Sequence, residues 1–373
     1  MKLEEHARSG VPRRVIHCAE TVAGGIASYL RDLLPLQVQA YGAEAVSIVI
    51  PASQRQHIPP VEGIAVHLYA DGGSRVINAF KLAVTVRQVA RAQPTAVIHM
   101  HSTFAGAVLR PALTVFGPKC PRVYCAHGWA FDRVTTPTAT RLAKWAERAL
   151  AHCCEAIVCI SRHDVVSANV AGLPQNILHL VRNGIASRSP NPASMNIPWV
   201  TGKLRLLFVG RFDKQKGLDV FLDALVLLGD RAQGAVAGGA VLKDGGDTEL
   251  PSNVIALGWL STDKLEAALQ STHALVVPSR WEGFGLIAAE AMRAGKAVLA
   301  SKVGGLPEVV EDGVTGVLFT PGSPDALAQA VCAVGSATLV EMGSRGRERF
   351  EKNFQMARVQ IELESVYCKA SQQ

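Results

Sequence analysis

Short apolar runs alternate with longer amphipathic stretches along the first half of the chain. Each apolar run is rich in Val and Ile and short enough to be one strand. These runs are "RVIHCAE" from Arg14, "AVSIVI" from Ala45, "AVIHMH" from Ala96, "RVYCAH" from Arg122, "AIVCIS" from Ala156 and "ILHLV" from Ile177. Helical stretches such as "GIASYLRDLLPLQVQAYG", "SRVINAFKLAVTVRQVARAQ" and "TATRLAKWAERALAHC" separate them. The pattern predicts a parallel sheet covered by helices on both faces.

The pattern stops after Asn183 and then begins again. The stretch "NGIASRSPNPASMNIPWVTG" has no period and is rich in Asn, Pro, Ser and Gly, so we interpret it as an interdomain connection. The alternation resumes with "LRLLFVG", a helix from Gly217, and the runs "AQGAVAGG", "NVIALGW", "HALVVPS", "AVLAS" and "GVLF". A chain of 373 residues also exceeds the usual size of one core. We therefore expect an α/β fold in which two Rossmann-like doubly wound domains face each other across a cleft.

The residues that follow the predicted strands are the first candidates for a site, because ligands of such sheets bind outside the carboxyl ends of the strands. Gly24 and Gly25 come just after the first strand, and His127 ends "VYCAH". Arg211 and Glu282 follow strands of the second half. Because these positions come from both halves of the chain, the sequence places the reaction between the domains.

The segment "PSRWEGFGLIAAEAMRAG" predicts a helix that begins near Gly285 and ends near Gly295. A helix start presents free N–H groups and the positive end of the helix dipole, which suits a phosphate. Glu290 lies about 7.5 Å further along the axis, within reach of a ribose beside a diphosphate. Glu282 precedes the turn and could meet the group beyond the phosphates. The alternative is a solvated surface helix.

The segment "GRFDKQKGLD" places Arg211 and Lys216 between a strand and the next helix. Arg supplies a fork of donors and Lys a mobile point charge, and together they could hold a diphosphate and stabilise it as a leaving group. No D-x-D occurs in the chain, so we expect no metal site and no cofactor. Two exposed surface cations are the alternative.

Composition and charge narrow the class of protein. Hydrophobic residues make up 49% of the chain, and the formal net charge of +7 favours anionic partners. Nucleic acid is not expected, since there is no arginine-rich block, zinc-finger spacing or regular basic–aromatic alternation. The N-terminus lacks a signal-peptide core and no apolar run is long enough to span a bilayer, so we expect a cytoplasmic protein.

Two glycines and two histidines are the candidates in the first half. Gly24 and Gly25 let the backbone approach a ligand closely, but "AGGIAS" is not a dinucleotide-binding fingerprint. His127, next to a glycine at a strand end, could hydrogen-bond a transferred sugar. For His101 in "HMHST" we expect a structural role.

Taken together, these motifs resemble the retaining GT-B glycosyltransferases of the "glycosyl transferases group 1" family. The resemblance covers nearly the whole chain and is strongest from Leu204 to Leu318, where "GRFDKQKGLD", "PSRWEGFGLIAAEAMRAGKAVLAS" and "VGGLPEVVEDGVTGVLF" follow in the family's order. It implies an acceptor-binding domain of residues 1–183 plus about 355–373, to which the last helix returns. It also implies a donor-binding domain of residues 184–354 and metal-independent transfer with retention of anomeric configuration.

The resemblance also implies roles for individual residues. Arg211 and Lys216 would bind the donor diphosphate, and Glu282 would contact the sugar. Glu290 would hold the ribose, and His127 would contact the transferred sugar. The remaining donor-binding positions would approach the phosphates, with Gly25 packing nearby and backbone presented by Phe284, Gly285 and Leu286.

The sequence specifies the mechanism of transfer and the acceptor less fully than the donor site. No convincing nucleophile is found for a double displacement, so front-face transfer fits these residues better. Basic residues lie along two predicted helices. One carries Arg141, Lys144 and Arg148, with Trp145 nearby, and the other carries Lys81, Arg87 and Arg91. Such helices could lie on an anionic membrane, or their charges could face solvent. We expect a lipid-linked polysaccharide or lipopolysaccharide intermediate as acceptor and peripheral association with the inner face of the cell membrane.

Two other functions remain open. A sugar-nucleotide 2-epimerase of GT-B fold would use the same donor site without an acceptor. A non-catalytic nucleotide-sugar binding protein would bind the donor without turnover and would not depend on Glu282.

Overall fold

The computed structural model of the protein describes residues 14–22, 24–58, 60–133, 136–187, 194–239 and 250–372. The chain divides into two compact units. The first comprises the described residues up to Asn183 together with those from Met356 onward, and the second runs from Gly184 to Gln355.

The first unit contains a parallel sheet of seven strands in the order β3-β2-β1-β4-β5-β6-β7. Its strands are β1 (Val15–Ala19), β2 (Val46–Pro51), β3 (Ala65–Tyr69), β4 (Val97–His101), β5 (Arg122–Cys125), β6 (Ala156–Cys159) and β7 (Leu178–Leu180). Its helices are α1 (Gly25–Tyr41), α2 (Arg75–Ala92), α3 (Thr103–Phe116), α4 (Pro137–Leu150), α5 (Arg162–Ala171) and the last helix of the chain, α12 (Met356–Ala370). Short 3-10 turns cover Ala43–Ala45, Ala52–His57, Ala130–Asp132, Ala151–Cys153 and Gln175–Ile177.

The two faces of the first sheet carry different side chains, because successive residues of a strand point to opposite sides. Ile16, Ile98 and Tyr124 belong to an apolar core that also takes in residues of α2 and α3. The alternate positions of β1 and β4 carry His17, His99 and His101, all fully buried. Side chains of α1 and α12 lie against these histidines. One face of the sheet is therefore apolar, and the other carries polar side chains that are buried away from solvent.

The second unit contains a parallel sheet of six strands in the order β10-β9-β8-β11-β12-β13. Its strands are β8 (Leu204–Arg211), β9 (Ala232–Gly239), β10 (Val254–Gly258), β11 (Ala274–Val277), β12 (Ala297–Ser301) and β13 (Gly316–Phe319). Its helices are α6 (Leu218–Leu228), α7 (Thr262–Ser271), α8 (Leu286–Arg293), α9 (Leu306–Val309), α10 (Pro324–Cys332) and α11 (Ser336–Asn353), with a 3-10 turn at Gly229–Arg231.

The predicted fold class is confirmed, since both sheets are parallel and doubly wound. The predicted strands are found within one or two residues of their limits, but β3 was not predicted. It lies at the edge of its sheet and is largely exposed, so it lacks the continuous apolar run of a central strand. All eight cysteines lie within the described residues and are free thiols.

No single helix among the described residues is long and apolar enough to cross a membrane. The helices α10 and α11 meet the length and composition limits only when taken together, and they are bent by 99° at their junction.

Candidate active site

The order of strands in the second unit reverses between β8 and β11, which is where ligands of doubly wound sheets bind. The chain leaves β8 toward β9 and β10 on one side, then crosses to β11 on the other. The loops that follow β8 and β11 cover residues 212–217 and 278–285. Both loops carry residues that the sequence predicted for the donor site.

These two loops are held together through their backbones. Gly217 has φ +70°, and a Cβ there would lie 2.2 Å from the carbonyl oxygen of Pro278, so only glycine fits without a shift. The N–H of Arg280 donates to the carbonyl of Gln215 at 2.8 Å, and the Gln215 side-chain amide donates to the carbonyl of Trp281 at 3.2 Å. The loops therefore form one local structure.

Lys216 and Glu282 form a salt bridge across these loops. The Lys216 Nζ lies 2.6 Å from Glu282 Oε2, and the two side chains are only 22% and 12% exposed. Ser279 Oγ also donates to Glu282 Oε2, at 3.4 Å. The sequence predicted both residues for the site, but assigned them to different parts of the donor and did not foresee their contact.

Arg211 lies at the end of β8 and is more exposed than Lys216. Its guanidinium lies 3.0 Å from Asp213 Oδ2 and donates to Gln215 Oε1, also at 3.0 Å. Asp213 Oδ1 accepts the backbone N–H of Lys216 at 3.0 Å. Asp213 and Gln215 thus hold the loop that carries both cations. We did not single them out in "GRFDKQKG", although an Asp two residues after a cation at a strand end was a usable signal.

The helix α8 begins where the sequence predicted. Gly285 is its N-cap residue, with φ 93° and ψ 61° and no side-chain capping bond, and Gly295 follows its last turn with φ 70°. The first N–H groups of a helix have no partner within the helix. With no capping side chain, the start of α8 presents Leu286 and its neighbours as donors to an anion.

The turn before α8 is set by close packing against a neighbouring turn. A Cβ on Gly304 would lie 1.8 Å from the carbonyl oxygen of Glu282, whereas the N–H of Gly305 donates to that oxygen at 3.2 Å. The Phe284 side chain is buried and packs edge-on against Phe354. Phe284 therefore anchors the turn by its ring, so any contact with phosphate is left to its backbone.

Glu290 lies on α8 itself, half-buried and four residues after Leu286. At 1.5 Å per residue this is about 6 Å along the helix axis. The carboxylate position is therefore about one turn from the helix start, and its contact with a ribose stays a prediction.

In the first unit the strand order reverses between β1 and β4. Gly24 is the N-cap residue of α1, with φ 67° and no side-chain capping bond, and Gly25 is the exposed first residue of that helix. Residues 24 and 25 thus form a second uncapped helix start beside a switch point.

His127 is held in an uncommon backbone conformation after β5. Its φ is 55°, and Ser102 after β4, with φ 84°, is the other non-glycine residue with positive φ in the described part of the chain. Such conformations persist where the surroundings enforce them, and they cluster at functional sites. The ring Nε2 lies 2.9 Å from His101 Nδ1, and burial lowers the pKa of His127 to about 4. The half-buried imidazole is therefore neutral near pH 7.

The predicted residues are thus distributed between the units. In the second unit Lys216 and Glu282 are in contact, and Arg211 shares the Lys216 loop. In the first unit His127 is joined to His101, which was expected to be structural, and beyond it to His17. His17 was not predicted, and no local motif marks it. The ring nitrogens of His17, His99 and His101 also lie within 4.8 Å of one another, which is close enough for a metal ion.

Two family models match the chain. The model described as "Glycosyl transferases group 1" matches residues 165–349, and the model described as "Glycosyl transferase 4-like domain" matches residues 24–184. A Klebsiella pneumoniae protein, described as an uncharacterized 41.2 kDa protein in the cps region, is 31% identical over 314 residues. The match covers 82% of this chain and 85% of that protein.

Two solved structures are similar over almost their whole length. Sucrose-phosphate synthase from Thermosynechococcus elongatus has a TM-score of 0.79 at 19% identity, covering 95% of this chain and 98% of that one. HepE of Anabaena, in complex with UDP-glucose, has a TM-score of 0.76 at 19% identity, covering 94% and 98%. At this identity the likeness establishes the fold, which is GT-B. The chain belongs to the glycosyl transferases group 1 family and is a GT-B glycosyltransferase that uses a nucleotide sugar.

Proposed function

We propose that the protein moves a hexose-type sugar from a nucleotide-diphosphate sugar to an acceptor, without a metal and with retention of anomeric configuration. The observation that carries the proposal is the uncapped start of α8 beside the loop that holds Lys216 and Arg211. Positive charge from two side chains and from a helix dipole converges on one switch point. That is the chemistry a departing diphosphate needs.

The diphosphate would take its hydrogen bonds from the backbone at Gly285 and Leu286 and from the two cations. Arg211 can offer two parallel N–H groups, whereas the Lys216 ammonium can turn toward either phosphate. These donors stabilise the negative charge that develops as the glycosidic bond breaks. The same groups replace the divalent cation that a D-x-D enzyme would require, so we assign no metal and no cofactor to the reaction.

Glu282 would contact the transferred sugar. Its salt bridge to Lys216 fixes one carboxylate oxygen, Oε2, and leaves Oε1 for a sugar hydroxyl. Glu290 would accept hydrogen bonds from the ribose, one turn along α8 from the phosphates. We assign to His127 contact with the transferred sugar, as the family resemblance implies, and to Gly25 packing near the phosphate.

Retention would follow from front-face transfer, in which the leaving diphosphate accepts the acceptor's proton. Glu282 is the one carboxylate that we assign to the sugar, and its salt bridge to Lys216 lowers its nucleophilicity. Mass spectrometry of enzyme quenched during turnover with a 2-fluoro sugar donor tests this. A covalent glycosyl-enzyme would overturn the front-face mechanism.

The acceptor would be lipid-linked, and its membrane would contact the outer side of α2, α3 and α4. These helices are neighbours, and their exposed apolar side chains include Phe80 on α2, Phe116 on α3 and Trp145 on α4, 69%, 67% and 68% exposed. The basic residues of the same helices include Lys81, Arg87, Arg91, Arg141, Lys144 and Arg148. Exposed aromatic and basic side chains on one layer suit an anionic lipid surface.

A vesicle sedimentation experiment tests the lipid contact. The protein should sediment with anionic vesicles at low salt, and Trp145→Ser should weaken the binding. Trp259, a tryptophan of the second unit that is 66% exposed, provides the matched control, since Trp259→Ser should change nothing. Equal effects of the two substitutions would refute a specific lipid-binding surface.

Donor binding is tested by thermal unfolding with UDP-, GDP- and ADP-sugars. A ligand at 100 times its dissociation constant stabilises the folded state by about 2.7 kcal/mol. The preferred donor should raise Tm, and Arg211→Ala with Lys216→Ala should abolish the shift. Transfer would then be followed by the anomeric signals of the product. Epimerised donor in the absence of acceptor would favour a 2-epimerase, and full activity of Glu282→Gln would count against the assigned role of that residue.

A further inference from the structure

One glutamine and three histidines of the first unit form a hydrogen-bonded chain beneath α1 and α12. Gln37 Oε1 lies 2.6 Å from His17 Nε2, and His17 Nδ1 lies 2.9 Å from His101 Nε2. His101 Nδ1 in turn lies 2.9 Å from His127 Nε2. Gln37, His17 and His101 are fully buried, whereas His127 is half-buried. The chain therefore runs from a dry interior to a residue that a ligand can reach.

Every imidazole in this chain is neutral near pH 7. Burial lowers the pKa of His17 to about 4, lowers that of His127 to about 4, and holds that of His101 well below its ordinary value. A neutral imidazole has one N–H donor and one acceptor nitrogen. A row of neutral imidazoles is therefore directional, since the orientation of one end fixes the tautomer of every ring.

Gln37, at the buried end, sets the direction in which the hydrogen bonds of the row are donated. Its Oε1 can only accept, so His17 carries its proton on Nε2 and accepts with Nδ1. His101 then donates from Nε2 and accepts with Nδ1, so His127 donates from Nε2. The remaining nitrogen, His127 Nδ1, has a lone pair and no hydrogen-bond partner within the described residues.

A second contact keeps the Gln37 amide from turning round. The Gln37 Nε2 donates to Tyr367 Oη at 3.4 Å, and that hydroxyl lies 2.8 Å from His99 Nδ1. When the phenol donates its proton to His99, its lone pair receives the Gln37 amide, which leaves the Gln37 oxygen for His17. The α12 residue Tyr367 thus helps to orient the α1 residue Gln37.

We propose that Gln37, His17 and His101 are positioning residues that hold His127 as its Nε2–H tautomer, with the Nδ1 lone pair directed to accept a hydrogen bond from a hydroxyl of the transferred sugar. The proposal rests on the assignment of His127 to the sugar under the proposed function. It adds a consequence for specificity: the sugar group facing His127 must be a hydrogen-bond donor.

The same cluster raises the question of a metal, because the nitrogens of His17, His99 and His101 lie within 4.8 Å of one another. The hydrogen-bonded arrangement is favoured for two reasons. A proton already joins His17 Nδ1 to His101 Nε2 at 2.9 Å. The group also contains no carboxylate or thiolate, so the charge of a divalent ion would be uncompensated in a buried position.

The tautomer is read directly by long-range proton–nitrogen NMR of the full chain labelled with ¹⁵N-histidine. The His127 signals are assigned by their loss in His127→Gln. The proposal requires a protonated Nε2 and an unprotonated Nδ1 in His127, and the reverse pattern would overturn it. Adding one equivalent of Zn²⁺ should leave the histidine signals unchanged, and stoichiometric uptake at the cluster would also overturn it. This measurement stands even if no transferase activity is found.

Substitutions of the buried end test the functional link. Gln37→Leu should lower kcat/KM for the sugar donor about tenfold, the value of one well-placed hydrogen bond, without changing the affinity for the free nucleoside diphosphate. Gln360→Leu is the control, because Gln360 is a buried glutamine of α12 that bonds Tyr41 instead.

The outcomes of this series are distinct. Equal losses for Gln37→Leu and Gln360→Leu in folded proteins would reduce Gln37 to a structural residue. Donor analogues give a second readout, because fluorine cannot donate a hydrogen bond. Replacing the contacted hydroxyl by fluorine should cost as much as replacing it by hydrogen, and a fluoro analogue that retains activity would contradict an accepting Nδ1.

Discussion

In the first unit the polar groups near the carboxyl ends of the central strands are neutral imidazoles, whereas in the second unit they are salt-bridged side chains. The His17 end of the His17–His101–His127 row is buried beneath α1 and α12. The Lys216–Glu282 and Arg211–Asp213 pairs lie in loops that are partly open to solvent. One fold thus supports two kinds of polar site.

The difference follows from where each side chain stands on its sheet. The histidines are strand residues under a helix layer, where a charge would be costly and a directional hydrogen bond is retained. The cations of the second unit stand beyond the strand ends, where charge stays solvated until an anion arrives. The histidine row can orient a hydrogen-bonding group of a ligand, and the cations can neutralise a negatively charged one.

The largest difference between the two units is expected in how their stability responds to acid. Burial holds the pKa of His17 and of His127 at about 4, compared with about 6.5 in an unfolded chain. The folded state therefore takes up fewer protons, so the free energy of unfolding is unaffected by these groups above pH 6.5 and falls as pH drops from 6.5 toward 4. At pH 5 each of the two costs about 2 kcal/mol, and His99 and His101 add to the loss, which together exceeds the stability that Asp164 of the same unit gains on protonation.

The loss should be measured by fluorine NMR of protein labelled with fluorotryptophan. Trp129 reports on the core of the first unit and Trp199 on the second. The Trp129 signal should lose its native shift at a lower temperature at pH 5 than at pH 7. His17→Phe should reduce this pH dependence, and His57→Phe, at an exposed histidine of the same unit, should not. An unchanged pH dependence in His17→Phe would contradict the burial argument.

Removing a cation tests the role of charged side chains in the second unit. Lys216→Ala is expected to lower kcat by 10²–10³-fold, roughly the effect of removing one donor that stabilises a developing negative charge. Glu282 would also lose its partner and its fixed orientation. Steady-state kinetics with the preferred nucleotide sugar measures the loss.

Lys214→Ala is the matched control, because Lys214 is an exposed lysine of the same loop whose contact to Arg280 is made by its backbone carbonyl. It should leave kcat within about twofold, the range of a surface substitution. Equal losses for the two variants would mean that the loop needs net positive charge rather than the Lys216 ammonium.

The same contrast explains how far the sequence could predict each site. The second site lies in two short motifs, so strand ends, a glycine turn and a helix start were readable from local patterns. Lys216 and Glu282 are 66 residues apart, and both were predicted, because each motif carries its own signal. Their salt bridge was missed because it depends on side-chain directions that local patterns do not specify.

The histidine row could not be predicted in this way. Its hydrogen bonds join residues 20, 84 and 26 positions apart, on two strands, the loop after a third strand and one helix. His127 was a candidate on its own, but His17 looks like an ordinary strand residue, His101 was expected to be structural, and Gln37 looks like a polar position in an amphipathic helix. Only the parallel register, which sets His17 beside His99, brings the imidazoles to one face.

Two glycines with a left-handed backbone conformation, one in each unit, extend the comparison to the backbone. Gly217 has φ 70° and ψ 36°, and Gly172 at the end of α5 has φ 80° and ψ 28°. An alanine at either position would carry the same conformational cost of about 1–2 kcal/mol. At Gly172 its Cβ would meet Arg148 Cδ at an ordinary 3.6 Å, but at Gly217 it would meet a carbonyl oxygen at 2.2 Å.

Gly217→Ala should therefore cost about 2–4 kcal/mol of stability, more than Gly172→Ala, because the loops of the donor site must move apart. It should also reduce donor binding, whereas Gly172→Ala should leave it intact. Denaturant titration gives the free energies of unfolding and thermal shift gives the donor affinity. Equal costs at the two positions would mean that the second-unit loops are not held as tightly as their packing indicates.

A pair of aspartates provides the smallest and most specific test, because the predicted effects have opposite signs. Asp164 stands in the first turn of α5 behind Ser161, and Asp263 in the first turn of α7 behind Ser261. Asp164 is buried, which raises its pKa to about 7, whereas Asp263 is exposed. The stability that Asp164 gives in its neutral form is therefore lost as pH rises from about 4 to about 7.

At pH 8 the buried carboxylate of the first unit is ionised at a cost, and Asp164→Asn removes that charge while keeping the shape. Part of the gain is lost because Oδ1 has no hydrogen-bond partner among the described residues and an amide NH₂ there would find none among them either. We expect a net stabilisation of about 1–2 kcal/mol at pH 8 that disappears at pH 4. Asp263→Asn should instead destabilise by about 0.3–1 kcal/mol at pH 8, since an exposed carboxylate favours the positive end of a helix dipole. Thermal unfolding of both variants at pH 4 and pH 8 measures these changes in stability. Destabilisation by both substitutions at pH 8 would show that the first unit tolerates a buried charge as readily as the second unit tolerates an exposed one.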